Sequence, residues 1–212
     1  MFLINHRINN LIDLENIPNN HGIEVDVRYH ENELILNHDP FGHHDKVSTK
    51  LRDLLKKWEG YGPLILNVKT EGIEKACIKV MDEYKVKNWF FLDMSMPSFI
   101  KYSEKAFNDD FKYFSIENLA VRFSDKEPIE YALSFKNKAR WIWVDYYFKF
   151  PLNHKTISLL KNAKFKICLV SPELQEKSIF TTRQLAEICM GFNIDAVCTK
   201  NPELWFKSRV KP

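Results

Sequence analysis

This chain of 212 residues has few glycines, no closely spaced pair of cysteines and no long apolar run. It contains 6 glycines, and no glycine-rich turn follows its first predicted strand, which argues against a dinucleotide-binding fold. The four cysteines have no Cys-x-x-Cys spacing, and no apolar run is long enough to cross a bilayer. The first residues also lack the basic start and apolar core of a secretion signal. We therefore expect a cytoplasmic protein with reduced thiols and no transmembrane segment.

The charge balance argues against two further classes of partner. Lysine and arginine total 31 against 28 aspartate and glutamate, a formal net charge of +3, and the basic residues are scattered along the chain. Nucleic acids and anionic membranes are usually bound by clustered cations, so we expect neither as a partner. Individual lysines and arginines can still bind one phosphate group. The content of 45% hydrophobic and 28% charged residues is typical of a globular domain.

Short apolar runs alternate with longer amphipathic segments along the chain. The strand candidates, rich in valine, isoleucine and aromatic residues, are residues 2–5, 22–28, 34–37, 63–69, 89–95, 119–123, 139–146, 165–170 and 196–199. The helix candidates, with apolar residues at helical spacing, are residues 48–59, 73–84, 97–107, 157–163 and 181–191. If residues 34–37 return from residues 22–28 as a hairpin, eight strands remain, and 212 residues divided by eight gives 26.5 per strand–helix unit.

This alternation predicts a minimal TIM-type (β/α)8 barrel that forms a single domain over residues 1–212, because alternating strands and helices build parallel sheets covered by helices. An open doubly wound sheet is the competitor, which the missing glycine-rich turn disfavours. Residues 111–118 are either a strand or an irregular lead-in; we prefer the lead-in and expect irregularity near residues 111–124. A capping box at Ser124 and Glu127, and an N-cap at Asn201 before Pro202, predict two helix starts.

Two carboxylates lie on one face of the second predicted strand. Period-two alternation places Ile23, Val25 and Val27 on one face and puts the polar residues on the other, namely Glu24, Asp26 and Arg28. Taken alone, this pattern is also that of a solvated polar strand face. In a barrel strand, however, one face packs on helices and the other points into the barrel. Two carboxylates confined there repel each other unless a cation lies between them.

Other predicted strands also end in groups that suit phosphodiester chemistry. The C-terminal ends of barrel strands carry the active sites of barrel enzymes. Besides the two carboxylates, the groups at these ends are His6-Arg7, His38-Asp39 and Asn67-Val68-Lys69. Cations and a divalent metal can hold phosphoryl oxygens, while two histidines can move protons.

In chain order, His-Arg, Glu-x-Asp, His-Asp and a strand ending in x-Val-Lys resemble the glycerophosphodiester phosphodiesterase family of phospholipase C-like barrels. The strong match covers residues 6–69, and a weaker match covers residues 191–202. The resemblance implies a catalytic acid and base at His6 and His38, phosphate binding at Arg7 and Lys69, and one Mg2+ or Ca2+ held at Glu24, Asp26 and Asn67. It also implies that a substrate hydroxyl next to the phosphate can attack phosphorus to give a cyclic phosphate.

The sequence departs from the family pattern at two positions. Ile8 replaces a glycine, so the turn after His6-Arg7 must be built in another way. Asn67 replaces the third metal-binding glutamate, which lowers the expected affinity for a hard divalent cation, although Glu71 shares its strand parity and is a candidate substitute. Hydrolysis with weak metal binding, a phosphate- or phosphosugar-binding barrel without catalysis, and a metal-free enzyme therefore stay open.

The segment after His38-Asp39 bears on the size of the substrate. Only residues 41–47 separate it from the next predicted helix, so no large insertion covers the site. We expect an open site that accepts a glycerol- or sugar-linked phosphodiester, either a small molecule or a glycan-linked one.

Several further side chains admit two interpretations. Arg122 either binds the phosphate or is a structural or solvated arginine. Trp141 and Trp143 share a strand face, which either stacks a sugar at the barrel mouth or, as we prefer, packs in the core. His43 and His44 could extend a transition-metal cluster with His38, but no regular spacing holds them in register, so a polar loop rim is favoured.

Overall fold

The computed structural model describes residues 1–40, 48–106, 111–175 and 178–207. The strands are β1 (Phe2–Asn5), β2 (Gly22–His30), β3 (Glu33–Leu36), β4 (Leu64–Val68), β5 (Trp89–Leu92), β6 (Ala120–Phe123), β7 (Trp141–Val144), β8 (Lys166–Val170) and β9 (Ala196–Thr199). The helices are α1 (Leu11–Glu15), α2 (Leu51–Lys57), α3 (Glu74–Glu83), α4 (Met96–Lys105), α5 (Ile129–Ser134), α6 (His154–Asn162), α7 (Thr182–Ile188) and α8 (Pro202–Lys207). Short 3-10 turns cover Ile116–Asn118, Pro172–Leu174 and Cys189–Gly191.

Eight parallel strands form a nearly closed barrel, which confirms the predicted TIM-type (β/α)8 fold. The strands neighbour one another in the order β5-β4-β2-β1-β9-β8-β7-β6. A single parallel bridge between Phe91 and Leu119 joins the two ends of this order. The ninth strand, β3, pairs antiparallel with β2, so the predicted hairpin is confirmed and β3 lies outside the barrel order.

Alternation along the strands separates two apolar layers. Ile23 and Val25 of β2 belong to the large cluster that also contains Leu51 and Leu54 of α2, between the sheet and its helices. A second cluster, with the opposite strand parity, fills the barrel interior with Ile4, Ile65, Phe90, Leu92, Trp141, Trp143, Cys168, Val170, Ala196 and Cys198. The ring of Phe90 stacks on Trp141 with centroids 4.6 Å apart. The two tryptophans are therefore core residues, as preferred from the sequence.

The structure corrects some of the predicted local elements. No helix starts at Ser124: its hydroxyl bonds Glu127 within a tight turn, and α5 begins five residues later, after Pro128. Helix α1 was not predicted, because its five residues are too few to establish a helical period, although Leu11 and Leu14 pack against the core. Residues 111–118 form the irregular lead-in that we preferred, and α8 begins at Pro202 as expected.

The four cysteines are free and buried. Burial raises the pKa of the Cys168 and Cys198 thiols well above the ordinary value, which makes them poor nucleophiles. Among the described residues, no helix has the length and apolar character needed to span a membrane.

Candidate active site

The polar residues predicted from the strand ends meet at the C-terminal mouth of the barrel. In the register of β2 and β4, Asp26 lies directly opposite Asn67. His6 follows β1, and its backbone N–H donates to the carbonyl of Thr199 at the end of the neighbouring strand β9. Parallel strands thus bring groups that are distant in sequence to one edge, where barrel enzymes bind their substrates.

Glu24 organises the turn that follows β1. Its carboxylate Oε2 accepts the backbone N–H of Arg7 at 2.8 Å, and its backbone carbonyl accepts the N–H of Ile8 at 2.8 Å. Arg7 adopts a left-handed conformation with φ of 61°, whereas Ile8 turns its side chain into the core. The turn without a glycine is therefore built by a left-handed arginine and two hydrogen bonds to one glutamate.

Asp26 is fully buried and surrounded by donors. Asn9 pairs with it twice, because its amide donates to Oδ2 at 2.8 Å and its side-chain oxygen accepts the Asp26 backbone N–H at 2.9 Å. The Arg7 Nε lies 3.5 Å from Oδ2, and the Lys69 ammonium lies 3.5 Å from Oδ1. Two cations and one amide therefore compensate this carboxylate.

Glu24 is compensated by neutral donors instead. Its Oε1 accepts the side-chain amide of Asn67 at 2.8 Å, in addition to the Arg7 backbone N–H on Oε2. The pKa of Glu24 is raised to about 7, mainly by burial and secondly by the negative charge of Asp26. The predicted carboxylate pair is thus closely packed and buried, and its burial favours the protonated form of Glu24.

The chemistry of this donor set fits a hard divalent cation. Asp26 Oδ1 and Asn67 Oδ1 are both buried oxygens without a hydrogen-bond partner in the described part of the chain. Carboxylate and carboxamide oxygens are the ligands that Mg2+ and Ca2+ prefer. No group of three or more histidine, cysteine, aspartate or glutamate side chains suited to a metal occurs among the described residues, so Asn67 would have to be the third ligand. Glu71 cannot replace it, because β4 ends at Val68 and Glu71 is exposed in the following turn.

His6 lies against the carboxylate pair. Its Nε2 is 3.8 Å from Glu24 Oε2, and its Nδ1 is buried without a hydrogen-bond partner in the described residues. The pKa of His6 is lowered to about 4, mainly by burial and secondly by the positive charge of Arg7. The negative charge of Asp26 raises this pKa and so offsets part of the effect. The imidazole is therefore neutral at physiological pH and able to accept a proton.

His38 follows β3, and its side chain is more exposed to solvent than that of His6. Its Nδ1 lies 2.8 Å from Oδ1 of Asp39. Arg28 fixes the backbone here, because its guanidinium donates to the carbonyls of His38 at 2.8 Å and Lys69 at 2.9 Å. One half-buried arginine therefore ties the segment after β3 to the end of β4.

A chain of alternating charges crosses the mouth from β4 to β7. The Lys69 ammonium lies 3.6 Å from Asp93 Oδ2, Arg122 bonds the same Asp93, and Arg122 also bonds Asp145. Burial raises the pKa of Asp145. Arg122 is thus held between two carboxylates, which favours the structural interpretation of this residue over phosphate binding.

Comparisons with known proteins agree with this geometry at the level of the fold. No family model and no curated protein matches the sequence. A glycerophosphodiester phosphodiesterase from Agrobacterium tumefaciens str. C58 superposes with a TM-score of 0.69 at 15% identity, over 99% of each chain. The chain shares the fold of that enzyme. A glycerophosphoryl diester phosphodiesterase from Parabacteroides distasonis ATCC 8503 superposes with a TM-score of 0.65 at 11% identity, over 98% of this chain and 85% of the other.

The roles of four residues at this mouth were not predicted from the sequence: Asn9, Arg28, Asp93 and Lys200. Asn9 and Arg28 act through hydrogen bonds that no residue pattern announces. Asp93 has the wrong strand parity to face the interior, but its left-handed conformation, with φ of 61°, brings it to Lys69 and Arg122. Lys200 lies two residues after Cys198, which faces the barrel interior, so strand alternation could have predicted the place of Lys200 at the mouth. The short segment 41–47, with His43 and His44, lies outside the described residues.

Proposed function

We propose that the chain is a phosphoric diester hydrolase that cleaves a glycerol- or sugar-linked phosphodiester. The observation that carries the proposal is the buried Glu24 and Asp26 pair with His6 beside it, at 3.8 Å from Glu24. This pair lies at the end of the barrel where Lys69 and the His38 hairpin also lie. The shared fold with two glycerophosphodiester phosphodiesterases supports the same reaction class.

His6 and His38 form the proton-transfer pair of this proposal. Hydrolysis makes a bond from an attacking oxygen to phosphorus and breaks the bond from phosphorus to the leaving alcohol. A base takes the proton from the attacking O–H group, and an acid delivers a proton to the leaving oxygen. We assign His6, whose lowered pKa favours the neutral imidazole, as the base, and the more exposed His38, whose Nδ1 lies 2.8 Å from Asp39 Oδ1, as the acid.

A single Mg2+ or Ca2+ would be held by Glu24, Asp26 and Asn67. When bound, the cation supplies positive charge that neutralises the phosphoryl oxygens. The two buried oxygens without hydrogen-bond partners, on Asp26 and Asn67, support this assignment. In the same proposal Arg7 and Lys69 provide further positive charge for the phosphate.

The substrate is either a small phosphodiester or one linked to a glycan, and the protein is cytoplasmic in this proposal. The short length of the segment at residues 41–47 supports an accessible site for such a substrate.

The test is turnover of a panel of phosphodiesters, followed by phosphorus NMR as the diester signal becomes a monoester or cyclic phosphate. We expect turnover with Mg2+ or Ca2+, its loss on adding a chelator, and a decrease of at least about a hundredfold in His6→Asn and His38→Asn. His154→Asn is the matched control, because His154 packs edge-on against Phe192. No turnover of any diester, with Asn67→Glu equally inactive, would refute the enzyme. Turnover that survives the chelator would refute the cation but not the hydrolase.

A phosphate- or phosphosugar-binding barrel without catalysis is the second candidate. The favouring observation is that Asn67 donates its amide to Glu24, where a carboxylate would have added a negative charge for a cation. This candidate predicts phosphate-ester binding without turnover, and binding that survives His38→Ala.

A further inference from the structure

Most cations at the barrel mouth already face carboxylates. Three of them have such partners: Arg7 with Asp26 at 3.5 Å, Lys69 with Asp26 at 3.5 Å and Asp93 at 3.6 Å, and Arg122 with Asp93 and Asp145. A cation neutralised in this way attracts an incoming anion less strongly, because part of its field is already compensated. The substrate's phosphodiester anion therefore needs positive charge from elsewhere.

Lys200 is a cation at this mouth that has no such partner in the described part of the chain. It follows the last residue of β9, where Thr199 pairs with Asn5 of β1 and its carbonyl accepts the His6 backbone N–H at 3.0 Å. Lys200 is exposed, and among the described residues no carboxylate lies within ion-pair distance of its ammonium group. It therefore stands beside His6, on the opposite side from Lys69.

The backbone that carries Lys200 is fixed by a buried network. The Glu173 carboxylate accepts the Lys200 backbone N–H at 2.9 Å and the Thr199 hydroxyl. Its other oxygen accepts the hydroxyls of Ser171 and Thr182, the latter at 2.7 Å. The lysine therefore projects from a rigid strand end, so little ordering of the main chain opposes the binding of an anion.

We propose that Lys200 binds the phosphoryl oxygens of the substrate and places the phosphate beside His6. This assignment rests on the proposed phosphodiesterase function. It adds a phosphate-binding residue on β9 to those predicted on β1 and β4. It also makes Lys200, whose ammonium has no carboxylate partner among the residues that the structure describes, more important for affinity than Lys69 or Arg122, which are paired with carboxylates.

Titration of inorganic phosphate into the protein, followed by phosphorus NMR and calorimetry, tests the proposal. We expect Lys200→Met to weaken phosphate binding by about tenfold to a hundredfold, the effect of one lost charge-assisted contact. Lys200→Arg should largely retain binding, and Lys79→Met, at an exposed position on α3, is the matched control. With a diester that turns over, KM should rise in Lys200→Met by a larger factor than kcat falls.

Equal phosphate affinity in the wild-type protein and Lys200→Met would overturn the proposal, and so would a wild-type protein that binds no phosphate. Loss of binding in Lys69→Met but not in Lys200→Met would also overturn it. If binding depends on Lys200 but no diester is hydrolysed, the assignment of Lys200 stands and the proposed hydrolase falls.

Discussion

Replacing Asn67 with glutamate is the most informative perturbation of this site. In the wild-type protein, the Asn67 amide donates to Glu24 at 2.8 Å, and its oxygen is buried without a hydrogen-bond partner in the described residues. Asn67→Glu removes that donor and adds a third carboxylate beside Glu24 and opposite Asp26. The three neighbouring carboxylates of the variant should therefore depend on a bound cation more strongly than the two carboxylates of the wild-type protein do.

The magnitude follows from Coulomb's law. Two like charges about 4 Å apart repel by about 4 kcal/mol at an effective dielectric constant of about 20. Protonation of one carboxylate relieves part of this repulsion, so about 4 kcal/mol is an upper limit for the contribution of each carboxylate pair to the loss of unfolding free energy without a cation. A divalent cation at about 100 times its dissociation constant returns about 2.7 kcal/mol. For a domain of this size, that corresponds to a rise in Tm of about 5 to 11 °C.

The assay is thermal unfolding followed by circular dichroism, with Mg2+, with Ca2+ and with a chelator. Asn67→Gln is the matched control, because it has the shape of glutamate without its charge. We expect a lower Tm for Asn67→Glu in chelator, and a larger rise on adding cation than in either Asn67→Gln or the wild-type protein. If the three proteins respond equally to cation, Asn67 does not lie in a cation site, and the proposed ligand set is wrong.

Three further changes test the support of the site and the core. Arg28→Met should lower kcat with little change in KM, because Arg28 holds the backbone carbonyls of His38 and Lys69; an unchanged kcat in steady-state kinetics would contradict this. Burial alone would raise the pKa of Glu173, but its hydrogen bonds lower it below the ordinary 4.5. The stability advantage over Glu173→Gln should therefore be full above pH 4.5 and decline as the pH falls further, and a pH-independent difference in urea unfolding would refute it. Phe90→Ala should cost about 3–5 kcal/mol in urea unfolding because Phe90 is fully buried in the barrel, and a cost below about 1 kcal/mol would show that the interior repacks.

The barrel and the carboxylate pair were predictable because both depend on local periodicity. Strand alternation places Glu24 and Asp26 on the face opposite Ile23 and Val25, and the structure buries all four side chains. The hairpin that interrupts the parallel order was also visible, since residues 34–37 are too close to β2 to be joined to it by a crossover helix.

The partners of these groups were not predictable from periodicity. Asp93 reaches Lys69 because a left-handed backbone reverses its expected direction, and nothing in the sequence around residue 93 indicates that conformation. Ser124 and Glu127 have the spacing of a capping box, but they bond each other in a turn, and Pro128 stands at the N-cap of α5. Strand and helix periodicity therefore predicts most of the elements, while tertiary hydrogen bonds decide which side chains meet.

The two members of the carboxylate pair differ in the charges that surround them. Asp26 has Lys69 and Arg7 close to its oxygens, whereas Glu24 receives hydrogen bonds from a backbone N–H and a neutral amide. In the described part of the chain, no lysine or arginine side chain forms an ion pair with Glu24. Burial, followed by the negative charge of Asp26, raises the pKa of Glu24 to about 7, and the hydrogen bonds from Asn67 and Arg7 offset this only in part. A proton and a divalent cation would compete for this carboxylate, so cation binding should strengthen as the pH rises through 7.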